Sequence, residues 1–218
     1  MKGFLAVASI VDESNSTART YRWARAWSAW IVRRRIAISL IGFSALIVHN
    51  VAVRQTIPLN PFSFQHPAVW LSWALLLLGL AIRSWAAGTL DKSRSLTTIG
   101  PYAACRNPLY AGSFLMMLAF CILSRDGPTM AFICGPLALV YWAQIRHEEN
   151  WLRGLFPDQW PQYQAAVPRL FPRPAPLQRL LSGWSVAEWK RNREYRAVLA
   201  TAVGIVAIYG WFLMRTAV

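Results

Sequence analysis

The chain is short of negative charge: its 218 residues hold 9 Asp and Glu against 23 Lys and Arg. A net charge of +14 raises nucleic acid as a partner, and the placement of the charge decides against it below. Cysteine is also scarce. Cys105, Cys121 and Cys134 are an odd set with no C-x-x-C pair, which points away from a disulfide framework and from a metal site. The three histidines stand apart in sequence: His49 reads as interfacial, His66 as a loop residue before Pro67, and His147 lies beside two glutamates. There is no internal repeat.

What the chain has in quantity is apolar sequence, 56% of its residues, gathered into runs. Five stand out, at 36–53, 68–87, 109–123, 130–145 and 197–214. A spanning helix needs about 20 apolar residues, because the hydrocarbon core is about 30 Å thick. The first, second and fifth runs come near that length. The third and fourth are short, and are either spans extended by their flanks or a hairpin that stops within the membrane. The fold class read from this pattern is all-α: an integral membrane bundle of about five hydrophobic helices plus interfacial amphipathic helices. Seven basic residues precede the first run, four are assigned to the side between the second and third (Arg83 at the end of the second run, then Lys92, Arg94 and Arg106), and nine lie between the fourth and fifth. Only Arg54, Arg125 and Arg215 fall on the other side. Positive residues favour the inside, so the N-terminus is expected in the cytoplasm, in a bacterial inner membrane. The net charge then faces anionic lipid, and nucleic acid is not needed as a partner. Residues 1–11 carry Lys2 and an apolar run that is short for a signal peptide, so they are read as retained.

The chain divides into four parts. Residues 1–35 form a basic interfacial segment, with Trp23, Trp27 and Trp30 at helical spacing among Arg22 and Arg25. Residues 36–90 hold the first two hydrophobic helices. Residues 91–176 hold the third and fourth helices and a segment, 156–176, whose six prolines forbid a continuous helix and predict an extended strap over the helix ends. Residues 177–218 hold a basic linker, with Trp184 and Trp189 before Lys190, Arg191 and Arg193, and the last helix. Within the fourth run, Gly135-Pro136 predicts a kink.

The candidate chemistry lies between Thr97 and Arg173. Gly100-Pro101-Tyr102 and Arg106-Asn107-Pro108 are turn-forming sets at the mouth of the third helix. Pro108 suits its first turn and Asn107 its cap, and N–H groups at such a helix start suit a carboxylate. Arg146-His147-Glu148-Glu149 places two of the nine acidic residues together where the fourth helix leaves the membrane. If the helix runs on to about Leu155, Glu149 can pair with Arg153 at i+4. Alternatively, one of the two carboxylates binds a cationic ligand. Phe156-Pro157, Trp160 and Tyr163, then Val167-Pro168-Arg169-Leu170-Phe171-Pro172-Arg173, bring aromatics and forked guanidinium donors to the same end.

Taken in order, these elements resemble the isoprenylcysteine carboxyl methyltransferase family and its phospholipid N-methyltransferase relatives. The shared pattern is G-P-Y-x-x-x-R-[HN]-P-x-Y-x-G, then E-E-x-x-L, then a proline- and arginine-rich tail. The resemblance implies a multi-span fold, S-adenosyl-L-methionine held at the cytoplasmic face, and a lipophilic small-molecule substrate reaching the site from the membrane lipids. Carried over by position, it implies cofactor binding by Gly100, Tyr102, Arg106, Asn107 and Tyr110, with Glu148 or Glu149. Glu148, Glu149, Arg169 and Arg173 are the implied catalytic set. An arginine before the Val-Pro pair of the prenylcysteine enzymes is Ala166 here. A carboxylate acceptor needs only a cationic clamp such as Arg169 or Arg173. An amine must first lose a proton, which His147 or the spare glutamate can take. Two alternatives are a membrane sterol-type reductase using NADPH, and a small transporter or scaffold without enzymatic activity.

Overall fold

The computed structural model describes residues 41–42, 45–46, 48–91 and 95–217. The basic segment 1–35, with its three tryptophans, lies outside the described residues, as does part of the first hydrophobic run. The end of that run is described as helical and closes in a π-helical turn, Asn50–Arg54.

Helix α1, Pro67–Thr89, has 23 residues and starts with proline in its first turn. Helix α2, Pro108–Ser124, has 17 residues and also starts on proline, so at 1.5 Å per residue it is about 25 Å long. Helix α3 runs from Gly127 to Leu155, 29 residues, or about 43 Å. Helix α7, Tyr195–Thr216, has 22 residues. Three short helices lie between α3 and α7: α4, Trp160–Ala166; α5, Leu177–Leu180; and α6, Val186–Arg191. Every regular element among the described residues is helical.

Helices α1, α3 and α7 are long and apolar enough to cross a membrane, and α2 is a shorter apolar helix. The fourth hydrophobic run is therefore a span extended at both ends. Pro136 sits in a π-helical turn, Ile133–Leu137, inside α3. Its ring cannot follow the α-helical hydrogen-bond pattern, and a local π turn absorbs the mismatch.

The bundle is built on a close approach of α1 and α2. A Cβ placed on Gly79 would sit 2.6 Å from the Gly112 carbonyl oxygen, and one on Gly112 would sit 2.6 Å from that of Gly79. In a membrane, where lipid is as apolar as leucine, such backbone contact through small residues drives helix association. Toward the α2 C-terminus, Val69 and Leu76 of α1 pack with Ala119 and Leu123 of α2 and Ile205 and Ile208 of α7.

At the other end the helices are tied by polar groups. Arg83 of α1 donates from Nε and Nη2 to the two carboxylate oxygens of Glu194, both at 2.9 Å. A third nitrogen of Arg83 donates to the Ser113 hydroxyl on α2. The charge pattern groups Arg83 with the basic loop after the second run; the structure places it inside α1. Asn192 closes α1 by donating to the carbonyls of Ala87 and Leu90 at 2.8 and 2.9 Å. Ser185 caps α6 by accepting from the Glu188 N–H. Trp184, about half exposed, lies against Gly88 and donates to the Ser84 carbonyl at 3.2 Å.

The proline-rich strap is only partly extended. Its centre is α4, seven residues with Pro161 in the first turn. Proline there removes no helical hydrogen bond, so six prolines still admit one short helix. The extended remainder pairs with the loop before α2. Arg106 N–H donates to the Pro168 carbonyl and Arg173 N–H to the Ala104 carbonyl, each at 2.9 Å.

Candidate active site

The loop between α1 and α2, the projecting end of α3, and the strap converge at one end of the bundle. Gly100 opens a single 3-10 turn, Gly100–Ala103, with φ +58. That left-handed angle favours glycine, and a Cβ there would meet the Thr89 side chain at 2.7 Å. The turn buries Tyr102 beneath α4, whose Tyr163 hydroxyl donates to the Tyr102 carbonyl at 2.9 Å. Trp160, fully buried, packs edge-on against Tyr163 and faces the Arg106 guanidinium at 5.8 Å.

The adjacent glutamates have different surroundings. Successive residues of an α-helix point about 100° apart, so Glu148 and Glu149 face different neighbours. Glu149 is buried, and both its oxygens are occupied. Arg169 donates to Oε2 from Nε and Nη2 at 3.0 and 2.7 Å. Asn107 donates to Oε1 at 3.1 Å, and Arg106 stands 3.4 Å from the same oxygen. The Asn107 amide also donates to the Arg169 carbonyl at 3.1 Å. Asn107 occupies the cap position of α2, but its side chain is turned to the strap, so the expected side-chain cap is not made. Glu149 thus latches α3 to the loop and strap. It does not pair with Arg153, which donates to Gln164 of α4.

Glu148 is only partly buried and lines a cavity of about 490 Å³ with Tyr102, Arg106, Asn107, Tyr110 and Trp160. Tyr110 and Gln144 both donate to Glu148 Oε1, each at 2.7 Å. Gln144 and Tyr141 precede Glu148 by one and two turns of α3, and this spacing puts them on its face. Nη1 of Arg106 is buried with no hydrogen-bond partner. Burial raises the Tyr102 and Tyr163 phenols far above their ordinary value, and it raises the Cys105 thiol as well. The two phenols are therefore neutral hydrogen-bonding groups at physiological pH.

A second cavity, about 660 Å³, lies beside the first and is almost wholly apolar, walled by residues such as Ile82, Trp85, Phe114, Trp142 and Phe171. Tyr110 and Tyr141 line both cavities, their rings edge-to-face with centroids 5.5 Å apart. Trp142 and Phe171 are well exposed, so the apolar cavity reaches the outer surface of the bundle.

The structure therefore brings Tyr102, Arg106, Asn107, Tyr110, Glu148 and Glu149 to one cavity. Gly100 shapes the turn beneath it. Arg169 stands behind Glu149 and stacks on Trp142 at 4.7 Å. The Arg173 side chain is exposed and lines neither cavity, as is also true of His147. Arg83, Tyr141 and Gln144 belong to the site region and escape motif matching. A single arginine within an apolar helix is the signal for Arg83, and helical spacing from Glu148 is the signal for Tyr141 and Gln144.

A cavity with charged and polar residues in its lining and an almost wholly apolar one thus abut at one end of the bundle. Residues 68–159 match the family model described as phospholipid methyltransferase. The chain is 30% identical over 197 residues to the cobalt-zinc-cadmium resistance protein CzcN of Cupriavidus metallidurans, covering 84% of this chain and 85% of that one. It is 29% identical over 154 residues to the nickel-cobalt-cadmium resistance protein NccN of Alcaligenes xylosoxydans xylosoxydans, covering 66% and 68%. The chain belongs to this family of membrane methyltransferase-like proteins, as the motif resemblance implied. No solved structure matches it.

Proposed function

We propose that the protein transfers a methyl group from S-adenosyl-L-methionine to the polar head of a lipid-like amphiphile. The observation that carries this reading is the pair of cavities sharing Tyr110 and Tyr141. The polar cavity fits the donor in size and chemistry, since small-molecule sites typically run from about 300 to 1,000 Å³. Arg106, with a nitrogen lacking an acceptor, would hold its carboxylate; Tyr102 and Trp160 would flank its flat part; Glu148 would balance its positive charge. Bound there, the donor supplies a methyl on a cationic sulfur.

The protein's own work is to position and to exclude water. Tyr110 is fixed by its bond to Glu148 and by the Tyr141 ring, which sets the boundary where the two cavities meet. The Glu149 latch keeps α3, the loop and the strap in register around it. The acceptor is a carboxylate or an amine borne on an apolar tail. A carboxylate is already nucleophilic. An amine needs a proton acceptor, and Asp91 and Glu148 are the carboxylates at the cavity that can serve besides the latched Glu149. The distribution of Lys and Arg supports placing this end at the cytoplasmic face.

The test is to incubate purified protein with methyl-labelled donor and a bacterial lipid extract, and to identify the labelled product by mass spectrometry. The expected product is a methylated amphiphile, lost in Glu148→Gln. Unlabelled lipid, with donor binding absent in the wild type, would defeat the proposal. The relatives' names attach them to metal resistance, so cells grown under cobalt, zinc or cadmium are a suitable source of extract.

A further inference from the structure

A third cavity, about 880 Å³, lies between α2, α3 and α7 at the end of the bundle opposite the glutamates. It borders Asp126, about 33 Å along α3 from Glu148 at 1.5 Å per residue, a full hydrocarbon thickness away. Its contents are unusual for that position. Asn50 is 2% exposed, and both its amide nitrogen and its amide oxygen have no hydrogen-bond partner. Asp126 is 6% exposed; its Oδ2 accepts from the Thr129 hydroxyl and its Oδ1 has no partner. Trp211 Nε1 also has none. All three line the cavity, with Arg215 also lining it and Phe120 and Ile208 among its apolar walls. Met214, 67% exposed, carries the lining to the outer surface of the bundle.

Buried polar groups are costly unless paired, so several unmet groups lining one cavity point to a ligand that meets them. The unmet groups fix what the ligand must offer. Asp126 Oδ1 and the Asn50 carbonyl need donors. The Asn50 amide N–H and the Trp211 N–H need acceptors. An ammonium alone would leave the two N–H groups unmet, and a phosphate alone would set an anion against Asp126. A head carrying both charges answers all of them, and the apolar walls suit the acyl chains attached to such a head. We propose that this cavity binds an aminophospholipid, with its ammonium at Asp126 and its phosphate toward Asn50 and Trp211. This second lipid site does not depend on the methyl-transfer reading.

The test is native mass spectrometry of the full chain in detergent, titrated with phosphatidylethanolamine and with phosphatidylglycerol. The wild type should prefer phosphatidylethanolamine about tenfold. Asp126→Asn should bring the two lipids to near parity, while its amide oxygen keeps the Thr129 bond and the fold. Asn50→Leu, isosteric and apolar, should reduce binding of phosphatidylethanolamine as well. Glu148→Gln should leave the preference intact; its loss there would place the lipid in the other cavities and overturn the proposal. Displacement of the lipid by free phosphoethanolamine at equal concentration would overturn it too, since the walls would then contribute nothing. A wild type without preference, melting lower than Asn50→Leu, would mean a merely hydrated cavity and would also sink the idea.

Discussion

The adjacent glutamates allow a sharp separation of structure from chemistry. In Glu149→Gln the amide cannot carry the charge that faces Arg169 at 2.7 Å and Arg106 at 3.4 Å. Breaking a buried ion pair on one side costs about 3–5 kcal/mol. Arg169 is 29% exposed and can turn to water, which lowers its share, whereas Arg106 is 8% exposed and cannot. The expected loss is therefore about 2–4 kcal/mol, in a latch that joins α3, the loop before α2 and the strap. In Glu148→Gln the Tyr110 and Gln144 bonds can persist to the amide oxygen, so stability should change little. What is lost is a charge-assisted contact to a cationic ligand, worth about 1.5–3 kcal/mol, or roughly ten- to a hundredfold in affinity. The assay is thermal unfolding in detergent beside equilibrium binding of labelled S-adenosyl-L-methionine. Glu149→Gln should melt several degrees lower, and Glu148→Gln should melt like the wild type yet bind weakly. The opposite pattern, with Glu149→Gln stable and Glu148→Gln unfolded, would refute the division of roles.

Gly112→Ala forces a methyl to within 2.6 Å of the Gly79 carbonyl oxygen; overpacking of this kind costs about 1–3 kcal/mol, read as a lowered melting temperature. Gly127→Ala, where a Cβ meets nothing within 4 Å, should melt within a degree or two of the wild type. Tyr110→Phe keeps the ring against Tyr141 but removes the bond to Glu148, so turnover should fall about tenfold or more with unfolding unchanged, checked by single-turnover methyl transfer. Burial raises Tyr102 and Tyr163, so the stability gained by keeping them neutral is complete below about pH 10 and is lost as pH rises further; Tyr102→Phe should blunt the fall in melting temperature above pH 10 and leave pH 7–9 unchanged.

Helix boundaries and site roles were legible to different degrees. Apolar length and proline placement are local signals, so the starts of α1 and α2, the continuation of α3 to Leu155 and the irregularity at Pro136 can be read from sequence. The convergence of the three motifs was legible only through their joint resemblance to a family, because no one of them has a local reason to meet the others. Which glutamate is held by arginine and which by tyrosine was not legible. It depends on the 100° between neighbouring helix positions and on where Arg169 and Asn107 lie in space. Arg83 with Glu194, and Asn192 with the end of α1, are pairs more than a hundred residues apart in sequence, beyond the reach of any periodicity. Arg173 was drawn into the site by motif spacing. The strap presents its backbone N–H to Ala104 and leaves the guanidinium outside. No motif singles out Asn50, and only the packing shows that it is buried and unpaired.

The most direct test of the central claim is an experimental structure of the protein in a lipid bilayer with S-adenosyl-L-homocysteine, the product left by methyl transfer. The account predicts density between Arg106, Glu148 and Trp160, with its sulfur turned to the Tyr110–Tyr141 boundary and a lipid tail along Phe114 and Trp142. Ligand density elsewhere, or a closed wall between the two cavities, would contradict it.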